Sequence, residues 1–204
     1  MFYETHNHHG LKRDPFKSLV VPRPIGWISS QNAEGRVNLA PYSFFNAVAS
    51  HPPMVMFSAN GTHFEGGLKD SAKNAEESGE FVCNLATFTL REKMNATSAR
   101  LARDIDEFQV AGLTPTPSML VKPPRVAESP VHLECLWLKT VPLPSSNADE
   151  PNTVVFGRVI GIHIEDSVIK DGLIDMAVLR PIARLGYMDY TVVDNVFSMN
   201  RPEA

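Results

Sequence analysis

The chain has 204 residues, of which 43% are hydrophobic and 21% charged, and its net charge is −4 at pH 7. This length and composition predict one globular core. No block or stripe of Lys and Arg occurs, which argues against nucleic acid as a partner. The apolar runs fall well short of the roughly 20 residues that span a bilayer, and the N-terminus lacks an export signal. We therefore expect a cytoplasmic protein that binds neither nucleic acid nor membrane.

No internal repeat or linker divides the sequence, so we expect a single domain over residues 1–204, with an N-terminal arm (1–17) and a C-terminal tail (191–204). Three histidines lie in this arm, but no neighbouring pattern supplies a further ligand from a rigid element, and we predict no metal site. Cys83 and Cys135 each lie in an apolar run, outside any CxxC pair. We interpret them as buried structural thiols of a reducing compartment.

Strand signals dominate the chain. In order, they predict strands at residues 25–30, 36–40, 54–58, 80–86, 131–141 and 153–165. The polar stretch 31–35, which ends in Gly35, predicts a hairpin turn, and the segment 42–46 is expected to be an aromatic loop that carries Ser and Asn. In the last strand, alternate positions are apolar and are expected to share one face, interrupted by Arg158; they are Val154, Phe156, Ile160, Ile162 and Ile164.

Helix signals are fewer and shorter. Residues 71–78 are bounded by Asp70 or Ser71 as N-cap and by Gly79 as the C-terminal stop. The sequence Thr89-Leu90-Arg91-Glu92 fits a capping box and predicts a second helix, and residues 104–111 predict one or two further turns. Many strands with a few short helices between them favour a mainly β fold, with a small β-barrel as its architecture.

Two elements carry the candidate chemistry. The stretch Tyr42 to Asn46 combines aromatic and short polar side chains, which suits a flat ring that needs hydrogen bonds without charge. Downstream, Lys69 and Ser71 place an ammonium and a hydroxyl at a predicted helix N-terminus, where anions bind. The tripeptide alone also fits a solvated Lys69 beside Asp70 as an ordinary cap. No arrangement of nucleophile, base or paired carboxylates predicts covalent or acid–base catalysis.

These residues belong to a longer series of sequence pieces that resembles the flavin reductase-like proteins with an FMN-binding split barrel. This family includes the flavoredoxins and the reductase components of two-component monooxygenases. The resemblance covers roughly residues 18–190 and rests on the order and number of its pieces. They are Pro22-Arg23-Pro24-Ile25, NLAPYSFFN from Asn38, Pro52-Pro53 with the strand ending at Ser58, Lys69-Asp70-Ser71, GEFV from Gly79 with Asn84-Leu85, MNATS from Met94, Asp106-Glu107-Phe108, AGLTP from Ala111, Pro124-Arg125-Val126 with Glu128-Ser129-Pro130, and ARLGY from Ala183.

The resemblance implies a Greek-key-like split barrel that binds FMN. The cofactor-binding residues that it implies are Arg23, Ser29, Tyr42, Ser43, Phe44, Asn46, Ser58, Lys69, Asp70 and Ser71. The phosphate is expected beside Lys69 and Ser71, where many family members carry Thr in place of this Ser. The ring and ribityl chain are expected along Tyr42 to Asn46 and the strand that ends at Ser58.

The activity implied is that of an NAD(P)H-dependent flavin reductase, with NADH or NADPH as reductant and a partner oxygenase or another electron acceptor. No GxGxxG loop follows a strand, so the nicotinamide is expected in an open cleft above the flavin. The resemblance also implies a homodimer with FMN near the subunit interface, in which residues 95–98 complete the neighbour's site. The alternatives are an FMN-holding electron carrier without efficient nicotinamide oxidation and an interaction module with no cofactor.

Overall fold

The computed structural model describes residues 1–147 and 149–202. Ala148, in the predicted loop 142–151, and the last two residues of the predicted C-terminal tail lie outside the described residues. The strands are β1 (Arg23–Pro24), β2 (Gly26–Gln31), β3 (Val37–Tyr42), β4 (Phe45–Ser50), β5 (Pro53–Ser58), β6 (Glu80–Leu85), β7 (Pro115–Thr116), β8 (Arg125–Val126), β9 (Val131–Leu143), β10 (Asn152–Ile164), β11 (Ile169–Lys170), β12 (Leu173–Ile174), β13 (Ile182–Gly186) and β14 (Asp189–Val192). The helices are α1 (Phe16–Leu19), α2 (Asp70–Ser78), α3 (Arg91–Ala96), α4 (Glu107–Val110) and α5 (Met176–Leu179), with a 3-10 turn over Asp166–Val168.

Seven strands form the main sheet, in the order β3-β2-β6-β9-β10-β5-β4, and each pairs antiparallel with its neighbours. β6, β9 and β10 lie side by side in chain order, with β7 and β8 paired in a separate small sheet, whereas β5 lies beside β10, which is a Greek-key order. A second sheet has the order β1-β13-β14. The mainly β class predicted from the sequence is confirmed.

Aromatic contacts show that the main sheet curls on itself. Tyr42, on the edge strand β3, lies with its ring centroid 5.0 Å from that of Phe57 on β5, near the opposite edge. Phe45 of the other edge strand packs on Gly26 of β2, where an added Cβ would lie 2.4 Å from the Phe45 ring. The interior also contains Ile28, Phe81, Cys83, Cys135 and Val155 with Ala72 and Ala75 of α2. Both cysteines are buried and free, as the sequence predicted.

A second apolar cluster lies on the other face of β2 and β3, because side chains alternate along a strand. It contains Trp27 and Leu39 with Met94 of α3 and Phe108 of α4. The Trp27 ring N–H donates to the Thr97 hydroxyl at 2.9 Å, which ties the end of α3 to this face. The short helices therefore cover the outside of the curled sheet, while α2 lies on its inner side.

Three local predictions were wrong. The aromatic loop continues directly into a strand, since Phe45–Ser50 pairs with β5 as an edge of the main sheet. The N-cap of α2 is Lys69, which makes no side-chain capping bond. The predicted capping box does not form either: α3 begins at Arg91, and its N-cap Leu90 has no side-chain bond. Gly79 does end α2, with a φ of 75°.

The apolar row of β10 does not form one face. The buried positions at its start are Thr153, Val155, Gly157 and Val159, whereas Val154 and Phe156 point to the opposite side. A bulge between Val159 and Gly161 then changes the register against β9. Alternate positions that lie on one face of β10 before the bulge therefore lie on the opposite face after it, and Ile162 is exposed. None of the described helices has the length and apolar character needed to cross a bilayer.

Candidate functional site

The candidate anion site lies at the N-terminus of α2. Lys69 is its N-cap with extended backbone angles, and the helix runs for nine residues to Ser78. Among the described residues, no acceptor receives the backbone N–H groups of Asp70 or Ser71. Free N–H groups of this kind, together with the helix dipole, favour an anion at this end of a helix.

Three cationic side chains from distant segments converge at this end of α2. Burial lowers the pKa of Lys69, and the positive charges of Arg100 and Lys17 lower it further. Lys17 belongs to α1, and Arg100 follows α3. Like charges near one another repel, so a bound anion would offset this repulsion. The electrostatics therefore match the charge of a phosphate.

Asp70 adds little negative charge to this site, because the guanidinium of Arg103 pairs with its carboxylate. Its carboxylate forms an ion pair with Arg103 and lies 3.7 Å from the His63 ring. Both partners lie in loops that flank the start of α2. The Asp70 side chain therefore anchors these loops, and what it can offer an anion is its backbone N–H.

The Ser71 side chain points into the protein. It is fully buried, and its hydroxyl accepts a hydrogen bond from the Asn38 amide at 2.8 Å. Burial raises the pKa of Tyr42 to about 12, a rise that its hydrogen bond with Ser71 opposes and that the Glu107 carboxylate increases. The hydroxyl of Ser71 therefore fastens α2 to β3, and what Ser71 can offer the anion site is its backbone N–H.

Tyr42 lies near Ser71, which brings the turn between β3 and β4 beside the start of α2. Ser43 and Phe44 form this turn, and both are half-buried. The backbone carbonyl of Phe44 accepts from the N–H of Ser58 at 2.8 Å, so the end of β5 closes one side of the turn. The Ser58 hydroxyl donates to Asn60 at 2.6 Å. The structure thus brings Tyr42, Ser43, Phe44 and Ser58 together in one cradle, next to Lys69.

Asn46 lies further along β4 and is exposed on the edge strand. Its side-chain oxygen accepts from the N–H of Ala47 at 2.9 Å. Asn46 therefore borders the cradle from the edge of the sheet.

Arg23 reaches the cradle from the other side. Its guanidinium is almost fully buried, donates to the carbonyls of Lys17 and Val20, and lies 5.7 Å from the centre of the Phe44 ring. Burial lowers the pKa of Arg23, and so does the nearby Arg184. The Arg23 Nε–H group has no partner among the described residues. This buried donor beside Phe44 lacks an acceptor that a polar ligand can supply.

Ser29 is the one predicted site residue that the structure places elsewhere. Because side chains alternate along β2, its hydroxyl faces away from α2. It donates to the carbonyl of Pro124 at 2.5 Å and accepts from the Asn84 amide at 3.1 Å. Ser29 therefore holds the segment before β8 against the sheet and has no contact with the cradle.

The sequence analysis missed Lys17 and Arg100. Both add positive charge near Lys69. Each lies far from Lys69 in the chain and within no motif, so only a contact prediction across the whole sequence would have found them.

A polar cleft of about 310 Å³ also touches α2, but on a different side. Asp70, Lys73, Glu77 and Arg103 line it, whereas Lys69, Ser43 and Phe44 do not. The side chains that line this cleft include both carboxylates and cations, so the cleft has no excess of positive charge. We place the candidate site at the cradle, because the unpaired donors and the excess of cations lie there.

Comparisons with known proteins identify the fold as a split barrel. The whole chain superimposes on a flavin reductase-like protein with a split barrel domain from Shewanella frigidimarina, with a TM-score of 0.83 at 22% identity, covering 99% of this chain and 100% of that one. Nitrilotriacetate monooxygenase component B from Bacillus cereus gives a TM-score of 0.87 at 30% identity, covering 98% of each chain. An uncharacterized protein of Aquifex aeolicus is 40% identical over 169 residues, which are 82% of this chain and 83% of that protein.

The sequence profile described as the flavin reductase like domain matches residues 18–182. The chain belongs to the flavin reductase-like family, as its sequence pieces predicted. This membership supports a flavin-related oxidoreductase function.

Proposed function

We propose that this protein is an NAD(P)H-dependent flavin reductase that holds FMN in the cradle between α2 and the β3–β4 turn. The observation that carries the proposal is the convergence of Lys17, Lys69 and Arg100 at the open N-terminus of α2. A flavin phosphate needs cations and free N–H groups, and both are present there. The unpaired Nε–H of Arg23, whose guanidinium lies by the Phe44 ring, also fits a ligand with many oxygens.

Each part of the cradle has a separate task in this proposal. Lys69 and the N–H groups of Asp70 and Ser71 hold the phosphate, with Lys17 and Arg100 adding charge. Phe44 supplies an apolar wall, while Ser43, Ser58 and Asn46 offer uncharged polar groups along the ring and the ribityl chain. Bound FMN would accept hydride from the nicotinamide at its N5 atom. The chain has only to orient the two rings and exclude water, so it needs no nucleophile.

The electrons would pass on to a partner oxygenase or another acceptor. The similar protein from Bacillus cereus is named as a monooxygenase component, which supports this kind of partner.

We also infer that the protein is a homodimer with the flavin near the interface. Two segments expose apolar side chains that a partner would cover. Phe16 and Leu19 flank the cation Lys17, and Leu19 is 72% exposed. The C-terminal segment exposes Val196, Phe197 and Met199. A contact at Phe16 and Leu19 would place the neighbouring subunit beside the phosphate.

Absorbance of the purified protein, followed by anaerobic titration with NADH and NADPH, tests the proposed function. We expect a flavin spectrum after incubation with FMN and bleaching of the bound flavin by at least one nicotinamide. A flavin that neither nucleotide bleaches would instead indicate an electron carrier, and a protein that takes up no FMN would contradict both functions.

The Lys69→Gln variant tests the placement of the phosphate. We expect its affinity for FMN to fall at least about tenfold, because one charge-assisted hydrogen bond contributes about 1.5–3 kcal/mol. Its affinity for riboflavin, which lacks the phosphate, should hardly change. Lys73→Gln is the matched control, since Lys73 lies exposed on the same helix and outside the cradle. Equal losses for FMN and riboflavin would place the phosphate elsewhere.

A further inference from the structure

A second concave site lies between α3 and the β13–β14 hairpin. It is a groove of about 300 Å³ with apolar walls from Met94, Ile182, Met188 and Val192. Its volume is at the lower end of the range for small-molecule sites, roughly 300–1,000 Å³. The flavin cradle uses none of these residues.

Three guanidinium groups lie against aromatic rings in and beside this groove. Those of Arg91 and Arg180 lie 4.1 and 4.7 Å from the centre of the Phe88 ring. That of Arg184 lies 4.4 Å from the centre of the Tyr190 ring and donates to the Tyr190 hydroxyl. Arg91 also donates one N–H to the carbonyl of Phe88 at 2.8 Å, and Arg184 donates one to the carbonyl of Tyr187. A guanidinium has five N–H groups, so each of these planar cations keeps others that can bind phosphate oxygens.

The carboxylates near these cations are only loosely held. Arg91 lies 3.4 Å from Glu92, and Arg180 lies 3.4 Å from Asp194, with all four side chains substantially exposed. Exposed pairs of this kind contribute about 0–1 kcal/mol, so a phosphate carrying two charges would displace them. Three cations against two carboxylates leave a net positive charge at the groove.

The groove is connected to the flavin cradle through one pair of strands. On β13, Arg184 pairs in register with Arg23 of β1. The Arg23 guanidinium lies over the Phe44 ring, which forms the wall of the cradle. A ligand with two rings, one at each end, therefore has a site for one ring in the groove and for the other above the flavin.

We propose that this groove binds the adenosine end of NADPH, and that Arg91 and Arg184 hold the phosphate on its 2′ oxygen. The inference rests on the proposed function, because it takes the nicotinamide end to lie over the flavin. It makes these two arginines specificity-determining residues that favour NADPH over NADH, which lacks the 2′-phosphate. Adenine would lie in the apolar part of the groove, between the side chains of Met94 and Met188.

Calorimetric titration of the protein without FMN tests the groove directly, with adenosine 2′,5′-bisphosphate and adenosine 5′-monophosphate as probes. We expect the bisphosphate to bind at least about tenfold more tightly, since its extra phosphate forms charge-assisted hydrogen bonds. Arg91→Gln should remove most of this difference and leave binding of the monophosphate nearly unchanged. Arg36→Gln, which changes an exposed arginine outside the groove, is the matched control and should bind both probes as the native protein does.

Steady-state reduction of FMN gives a second measurement. Arg91→Gln should raise the KM for NADPH about tenfold, with the KM for NADH and both kcat values nearly unchanged. Equal affinity of the native protein for the two probes, or an unchanged difference between them in Arg91→Gln, would overturn the inference. If the probes fail to discriminate while nicotinamides still bleach bound FMN, the groove assignment is wrong and the flavin reductase function stands. If the probes bind as expected but neither nucleotide reduces FMN, the reductase function fails and the nucleotide site remains.

Discussion

Glu134 is a fully buried carboxylate that forms hydrogen bonds with two other segments of the chain. Burial alone would raise its pKa, but the N–H groups of Met119 and Leu120 and the ring of His163 outweigh burial and hold the pKa below its usual value. The two N–H groups donate at 2.8 and 2.6 Å. One side chain thus fixes the Pro-rich crossing segment to β9 and β10.

We expect Glu134→Gln to lower the free energy of unfolding by about 1–3 kcal/mol, because the amide has one acceptor oxygen where the carboxylate has two, so one of the two backbone N–H groups loses its acceptor. Chemical denaturation at pH 7 measures this loss. The control is Glu92→Gln, since the Glu92 side chain is exposed. If the two variants were equally stable, the carboxylate would not hold the segment.

Two buried groups predict that the protein loses stability in acid. Burial lowers the pKa of His132 from 6.5 to about 4, although the carbonyl of Val126 opposes the shift. Between these pH values His132 binds a proton in the unfolded chain but not in the native protein, so the free energy of unfolding falls as pH falls. The lowered pKa of Glu134 adds a further loss below its ordinary value of 4.5, as the native carboxylate becomes protonated.

Unfolding measured between pH 7 and pH 4 should therefore show a loss from His132 on the order of 3 kcal/mol, taking about 1.4 kcal/mol per pKa unit. His132→Gln should be less stable at pH 7 and should lack most of this dependence. A variant that keeps the full slope between pH 6.5 and pH 4 would show that the native His132 is protonated in this range.

At the scale of elements, the strands were largely predictable, and their faces were not. Strand positions followed from β-branched and aromatic residues bounded by Gly and Pro, so β2, β5, β6 and β9 lie within a few residues of their predicted bounds. The bulge in β10 inserts one residue, and no pattern in the sequence marked it. β4 was missed because its residues are mostly exposed at the edge of the sheet and lack alternation.

The contact between β2 and β4 gives a prediction at this scale. Gly26→Ala places a Cβ against the Phe45 ring and should lower the free energy of unfolding by about 1–3 kcal/mol. Adding Phe45→Leu should recover part of the loss, because a smaller side chain makes room for the new methyl group. Denaturation of the single and double variants measures this coupling. If the two losses simply added, the two strands would not pack closely at this point.

At the scale of the whole molecule, the proposed dimer makes the surface around Lys17 functional. Light scattering should give twice the chain mass of 22.6 kDa. Leu19→Asp should shift this mass toward that of the monomer and weaken FMN binding, because a charge would be buried against the partner. Val110→Asp, an exposed apolar position on α4, should change neither. A monomeric native protein that binds FMN fully would contradict the dimer.

The sequence by itself determined the family and the mainly β class, and it suggested the two local parts of the candidate site. Lys69 at a helix start and the run from Tyr42 to Phe44 are short-range patterns, and such patterns can be recognised in the sequence without knowledge of the fold. Tertiary structure decided which other side chains join them. Lys17, Arg100 and Arg23 come near the cradle through packing between segments that are distant in the chain, whereas the alternation of side chains along β2 points Ser29 away from it. Convergence of this kind depends on register and curvature, which arise from long-range packing.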